Sequence, residues 1–113
     1  MPIILVVEDD PHVRRLVARA LQMIGYQVCE AVDGLDAQFQ FALRPPDLVL
    51  TDLHMPGLDG AALAQWVQTQ KAIPIVIMTA SADPTGIANL VLGKPFTIQA
   101  LTETVQTALQ SAA

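Results

Sequence analysis

The chain has 113 residues, room for one domain around one core, and with 52% hydrophobic and 15% charged residues it is too apolar for disorder. Six basic against eleven acidic residues leave a formal net charge of −5, which argues against nucleic acid as a direct partner. No apolar run approaches the roughly 20 residues of a membrane span, no basic stretch precedes an apolar one as in a signal peptide, and the lone Cys29 reads as a buried, inert thiol in a reducing cytoplasm.

Ile3 to Val7 forms an apolar strand that ends in Glu8-Asp9-Asp10. Asp10-Pro11 reads as a helix start, Asp10 as N-cap and Pro11 at the first helical position, so capping competes with any chemical role for Asp10. Val13, Leu16, Val17, Ala20, Leu21 and Ile24 follow a 3.6-residue period and are predicted to face inward, and Gly25 closes the helix. Arg14, Arg15 and Arg19 fall on the same helix, as a solvated face or as a basic strip for an acidic protein partner. Gln27 to Ala31 is a short second strand. Asp33-Gly34 opens a second helix of less regular pattern, with Ala37 and Phe41 inward and Phe39 unassigned, and Arg44-Pro45-Pro46 ends it.

The third strand spans 47–52 and breaks at once into His54-Met55-Pro56-Gly57. Asp59-Gly60 caps a third helix with Leu63, Trp66 and Val67 as its buried stripe. Ile75 to Met78 is a fourth strand entered through Pro74, and Leu90 to Leu92 a fifth. The last helix begins near Thr97, with Ile98, Leu101, Val105, Ala108 and Leu109 inward. Strands apolar on both faces and interleaved with helices mean an α/β fold, a parallel sheet covered on both sides.

In such sheets ligands bind at the carboxyl ends of the strands. There the first and third strands deliver Glu8, Asp9 and Asp52, the fourth Thr79, and the fifth Lys94. Carboxylates gathered so closely repel one another and call for a cation. Acids with Mg²⁺ on one side and a lysine and a hydroxyl on the other suit a phosphoryl group, which a carboxylate can attack in line.

The segments Ile4-Leu5-Val6-Val7-Glu8-Asp9-Asp10, Gly25-Tyr26-Gln27-Val28, Ala31-Val32-Asp33-Gly34, Pro46 to Asp52, Met55-Pro56-Gly57-Leu58-Asp59-Gly60 and Lys94-Pro95-Phe96 come in the order and spacing of one family. End to end, residues 1–113, the chain resembles a single receiver domain of two-component response regulators, CheY-like. The resemblance implies a flavodoxin-like, doubly wound five-stranded sheet of order 2-1-3-4-5. It implies that Asp52 accepts a phosphoryl group from a sensor histidine kinase or phosphotransfer protein in a Mg²⁺-dependent reaction. Asp9 would be a direct metal ligand beside Asp52, Glu8 a ligand acting through water, and the backbone carbonyl of His54 would complete the set. Thr79 and Lys94 match the positions that contact the phosphoryl group, and the Lys94-Pro95 bond is cis in the family. A phosphoprotein of this kind is not an enzyme in the ordinary sense, since it assists only its own phosphorylation and dephosphorylation.

Two departures stand out. The position three before the lysine, aromatic in most receivers, is Val91, which has no comparable swing. Residues 80 to 93 must also hold the connection from Thr79 and most of the fifth strand, and Asp83-Pro84-Thr85-Gly86 discourages a helix, so the family's fourth helix is expected to be reduced or absent over 80–89. That loss would expose Ile75, Ile77 or Val91 to a partner or to a homodimer. With no further domain after the last helix, the signal is expected to pass by protein contact to a downstream protein, unless the chain is cut from a longer one. The alternative is a receiver-like module that binds partners without phosphorylation. A haloacid-dehalogenase phosphatase would need an acid where His54 stands, and for His54 two readings remain, a residue tuning dephosphorylation or an exposed loop histidine.

Overall fold

The five apolar segments pair in parallel as one sheet: β1 (Ile3–Val7), β2 (Gln27–Ala31), β3 (Leu48–Asp52), β4 (Ile75–Thr79) and β5 (Leu90–Gly93), in spatial order β2-β1-β3-β4-β5. Among the described residues four helices stand around it, α1 (Pro11–Met23), α2 (Gly34–Leu43), α3 (Gly60–Gln70) and α4 (Ile98–Ser111). The computed structural model describes residues 1–80 and 90–111. The expectation of a reduced or absent helix over 80–89 therefore lies, but for Ala80, outside the described residues. The flavodoxin-like fold is the one expected.

Side chains alternate across a strand, so each strand feeds two cores. Ile4, Val6, Leu48, Leu50, Val76 and Met78 point to one side, where Val17 and Leu21 of α1 and Leu101 and Val105 of α4 cover them. Leu5, Val7, Val49, Ile75 and Ile77 point to the other, under Ala37 and Phe41 of α2 and Leu63 and Val67 of α3. Trp66 packs edge-on against Phe41, ring centroids 5.2 Å apart, as a core residue.

Helix ends follow the capping residues. Asp10, Asp33 and Asp59 each accept from backbone N–H groups of the first turn, at 2.8 Å in each case. Gly25 follows α1 at φ +104°, a conformation that a side chain would strain.

Several burial expectations are corrected. Leu16 on α1, Ile24 at its C-terminal cap and Ile98 on α4 are exposed, because Val17, Ala18, Ala20 and Leu21 already fill the arc that α1 turns to the sheet. Ile75 and Ile77 are fully buried beneath α3, whereas Val91 on the edge strand β5 is 44% exposed. Cys29 is only half-buried, since β2 is the other edge.

Candidate functional site

The sheet reverses its winding between β1 and β3, and a crevice opens at that point at the carboxyl ends of the strands. Val7 lies opposite Thr51, so the residues that follow, Glu8 and Asp52, leave neighbouring strands together. With Asp9 they bring one carboxylate oxygen each to within 4.8 Å of one another. Glu8 is 1% exposed and Asp52 is nearly buried, whereas Asp9 is open to solvent.

Lys94 reaches in from the end of β5. Its backbone N–H donates to the Thr79 carbonyl (2.9 Å), tying the end of β5 to the buried end of β4, and its peptide bond to Pro95 is cis. Its ammonium Nζ donates to Glu8 Oε1 at 2.8 Å and lies 3.3 Å from Asp52 Oδ1. Four of the predicted site residues, Glu8, Asp9, Asp52 and Lys94, thus meet in one cluster, and Thr79 adjoins it through the backbone. His54 lies in the turn past Asp52 with its side chain exposed.

The electrostatics of the cluster are lopsided. Burial raises the Glu8 carboxyl above the ordinary carboxylate range. The Lys94 hydrogen bond pulls it back, while Asp9 and Asp52 add to the rise. Burial alone would depress the Lys94 ammonium, but hydrogen bonds and charge from Glu8 and Asp52 together outweigh it and hold Lys94 above its usual range. Among the described residues the acids therefore exceed the one cation that pairs with them, Lys94. Three carboxylates that each offer an oxygen are a donor set suited to a hard divalent ion such as Mg²⁺. The residues present fit such an ion.

Two contributors escape sequence reasoning. Arg14, read as part of a solvated or docking face, donates from Nη1 to the Glu8 carbonyl (2.8 Å) and pairs through Nε with Glu30 on β2 (3.3 Å). It pins the backbone of the acid pair. Gly60, read only as a helix start, lies against the end of β3. A Cβ there would meet the Asp52 carbonyl oxygen at 2.2 Å and the Leu53 Cα at 2.9 Å. Only its spacing after the strand hints at this. Beside the cluster, Val13, Leu16, Ala80, Lys94, Pro95 and Phe96 line an open, mostly apolar depression.

The family model of the response regulator receiver domain matches residues 4–106. The chain belongs to that family. The receiver is 39% identical over 114 residues to the probable transcriptional regulator ycf27 of Cyanophora paradoxa, covering 95% of this chain and 48% of that protein. It is 37% identical over 106 residues to the sensor protein EvgS of Escherichia coli K12, covering 87% of this chain and 9% of that one. The receiver thus spans about half the length of the transcriptional regulators it matches, and much less of the sensor protein. Among solved structures, the chemotaxis protein CheY4 of Vibrio cholerae superposes with a TM-score of 0.90 at 30% identity, over 96% of this chain and 98% of that one. The response regulator TrrA of Thermotoga maritima, solved in complex with Mg²⁺-BeF, gives 0.87 at 32% identity, over 96% and 99%. This is a CheY-like receiver domain of two-component response regulators.

Proposed function

We propose that this receiver is a phosphoacceptor switch in which Asp52 takes a phosphoryl group from a phosphohistidine on a sensor histidine kinase or phosphotransfer protein. The observation that carries this reading is the meeting of Glu8, Asp9 and Asp52 within 4.8 Å, with the Lys94 ammonium 3.3 Å from Asp52. A carboxylate oxygen of Asp52 attacks phosphorus in line. The O–P bond forms as the N–P bond breaks, and the imidazole leaves, taking up a proton.

Asp9, Asp52, Glu8 (through water) and the backbone carbonyl of His54 would hold Mg²⁺. When bound, the ion neutralises phosphoryl oxygens and aligns them for transfer. Lys94 then turns from the carboxylates toward the added phosphoryl group, and the Thr79 hydroxyl at the end of β4 meets it from the other side. Before phosphorylation Lys94 serves as the cluster's counterion, which limits the cost of burying Glu8.

The donor protein is proposed to sit on the depression around Leu16, Pro95 and Phe96, with Arg15 and Arg19 as a positive rim. Output passes by contact to a downstream protein in the cytoplasm. With Val91 at the position that is aromatic in most receivers, that output does not use an aromatic swing.

Incubation with acetyl phosphate and Mg²⁺ tests the reading. It is expected to add one acid-stable, base-labile phosphoryl group to the wild type and none to Asp52→Ala. Label that persists in the variant, or none in the wild type, contradicts it.

A further inference from the structure

Helix α2 carries two apolar faces. Gly34, Ala37 and Phe41 are buried against the sheet. On the opposite side Leu35, Phe39, Ala42 and Leu43 recur at i, i+4, i+7 and i+8, the spacing by which a helix buries a face. Yet Leu35, Phe39 and Leu43 are 64%, 60% and 65% exposed, and Val32 just ahead of the helix is exposed too. Single exposed apolar side chains are ordinary on a protein surface. A continuous stripe along a helix, with no charged residue between Asp36 and Arg44, is the mark of an interface.

We propose that this stripe pairs with the same stripe of a second copy of the chain, the two α2 helices running antiparallel about a two-fold axis at Phe39. The spacing is self-complementary. Leu35 and Leu43 lie four residues either side of Phe39, so the axis sets Leu35 against the partner's Leu43 and Leu43 against the partner's Leu35.

Charge selects the same arrangement. Asp33 and Asp36 stand at the start of α2 and Arg44 at its end. Arg44 is exposed, donates to the neutral Gln27 and Cys29, and among the described residues forms no ion pair. Antiparallel pairing brings each Arg44 to the acidic end of the other helix, whereas parallel pairing would set arginine on arginine.

A second exposed apolar area, formed by Leu16, Met23, Ile24 and Ile98, is bordered by Arg19, so a two-fold contact there would face like charges. Two α2 stripes bury on the order of 1,000 Å² in total, the lower limit of a specific interface, so the dimer is a weak one, with a dissociation constant on the order of tens of micromolar.

Sedimentation equilibrium over about 5–500 µM, spanning that constant, tests the proposal. The wild-type mass is expected to rise from monomer toward dimer. Phe39→Glu and Leu43→Lys are expected to associate at least tenfold more weakly, with unchanged circular dichroism and unchanged phosphorylation by acetyl phosphate. Met23→Glu, on α1, is expected to associate as the wild type does. A wild type monomeric at the highest concentration, a Phe39→Glu dimer of wild-type strength, or loss of the dimer in Met23→Glu would each overturn it.

Discussion

Asp52 and Gly60 show how closely the chemistry depends on backbone packing. The carboxylate of Asp52 is aimed by the end of β3, and the first turn of α3 presses on that end with no room for a methyl group. Gly60→Ala is therefore expected to destabilise the fold by about 2 kcal/mol through overpacking. It should also slow labelling by acetyl phosphate, because the relief must shift the Asp52 or Leu53 backbone. Urea unfolding together with the labelling rate checks both effects, and a variant that matches the wild type in each would show the contact to be soft. Arg14 and Lys94 act on the same scale, one holding the Glu8 carbonyl and the other its carboxylate.

At the scale of elements, the strands and helix starts are legible because they rest on local rules. Apolar runs make strands, and Asp before Pro or Gly makes a cap. Asp10 is the clearest example. Backbone N–H groups of His12 and Val13 hold its carboxyl below the ordinary aspartate range. A depressed carboxyl stabilises the fold above its unfolded value, and that contribution is lost as pH falls through the folded value. Asp10→Asn keeps the cap but not the charge. The stability gap between wild type and variant is expected to hold above the unfolded value of about 3.9 and to close as pH falls below it through the lower folded value. Urea midpoints across those values check it, and a constant gap would remove the charge from the explanation.

What the pattern did not reveal is which way each helix faces where two faces are apolar. Leu16 and Ile24 fit the period of α1 yet point outward, and α2 looked irregular because it carries Phe41 inward and Phe39 outward. Periodicity reports spacing and says nothing of how wide an arc the neighbours cover. For the same reason the burial of Ile75 and Ile77 was not foreseen, since it depends on α3 and the sheet together.

At the scale of the molecule, strand order gathers groups far apart in sequence. Lys94 and Glu8 are separated by 86 residues and meet at 2.8 Å. Sequence reasoning could name these residues from their places at strand ends, but not that Lys94 pairs first with Glu8. The gathered acids are expected to make the fold responsive to cations. Mg²⁺ at about ten times its dissociation constant is expected to add about 1.4 kcal/mol, a rise in Tm of about 5 °C. Asp52→Asn should shrink that rise by removing a ligand charge. A Tm indifferent to millimolar Mg²⁺ would speak against the metal set.

The most direct test of the central claim identifies the phosphorylated atom group itself. Borohydride reduces an acyl phosphate to an alcohol, so wild-type protein treated with acetyl phosphate and Mg²⁺, then reduced and mapped by mass spectrometry, should carry homoserine at position 52 and nowhere else. Homoserine at position 9 or at another aspartate, or unmodified Asp52 throughout, would contradict the account.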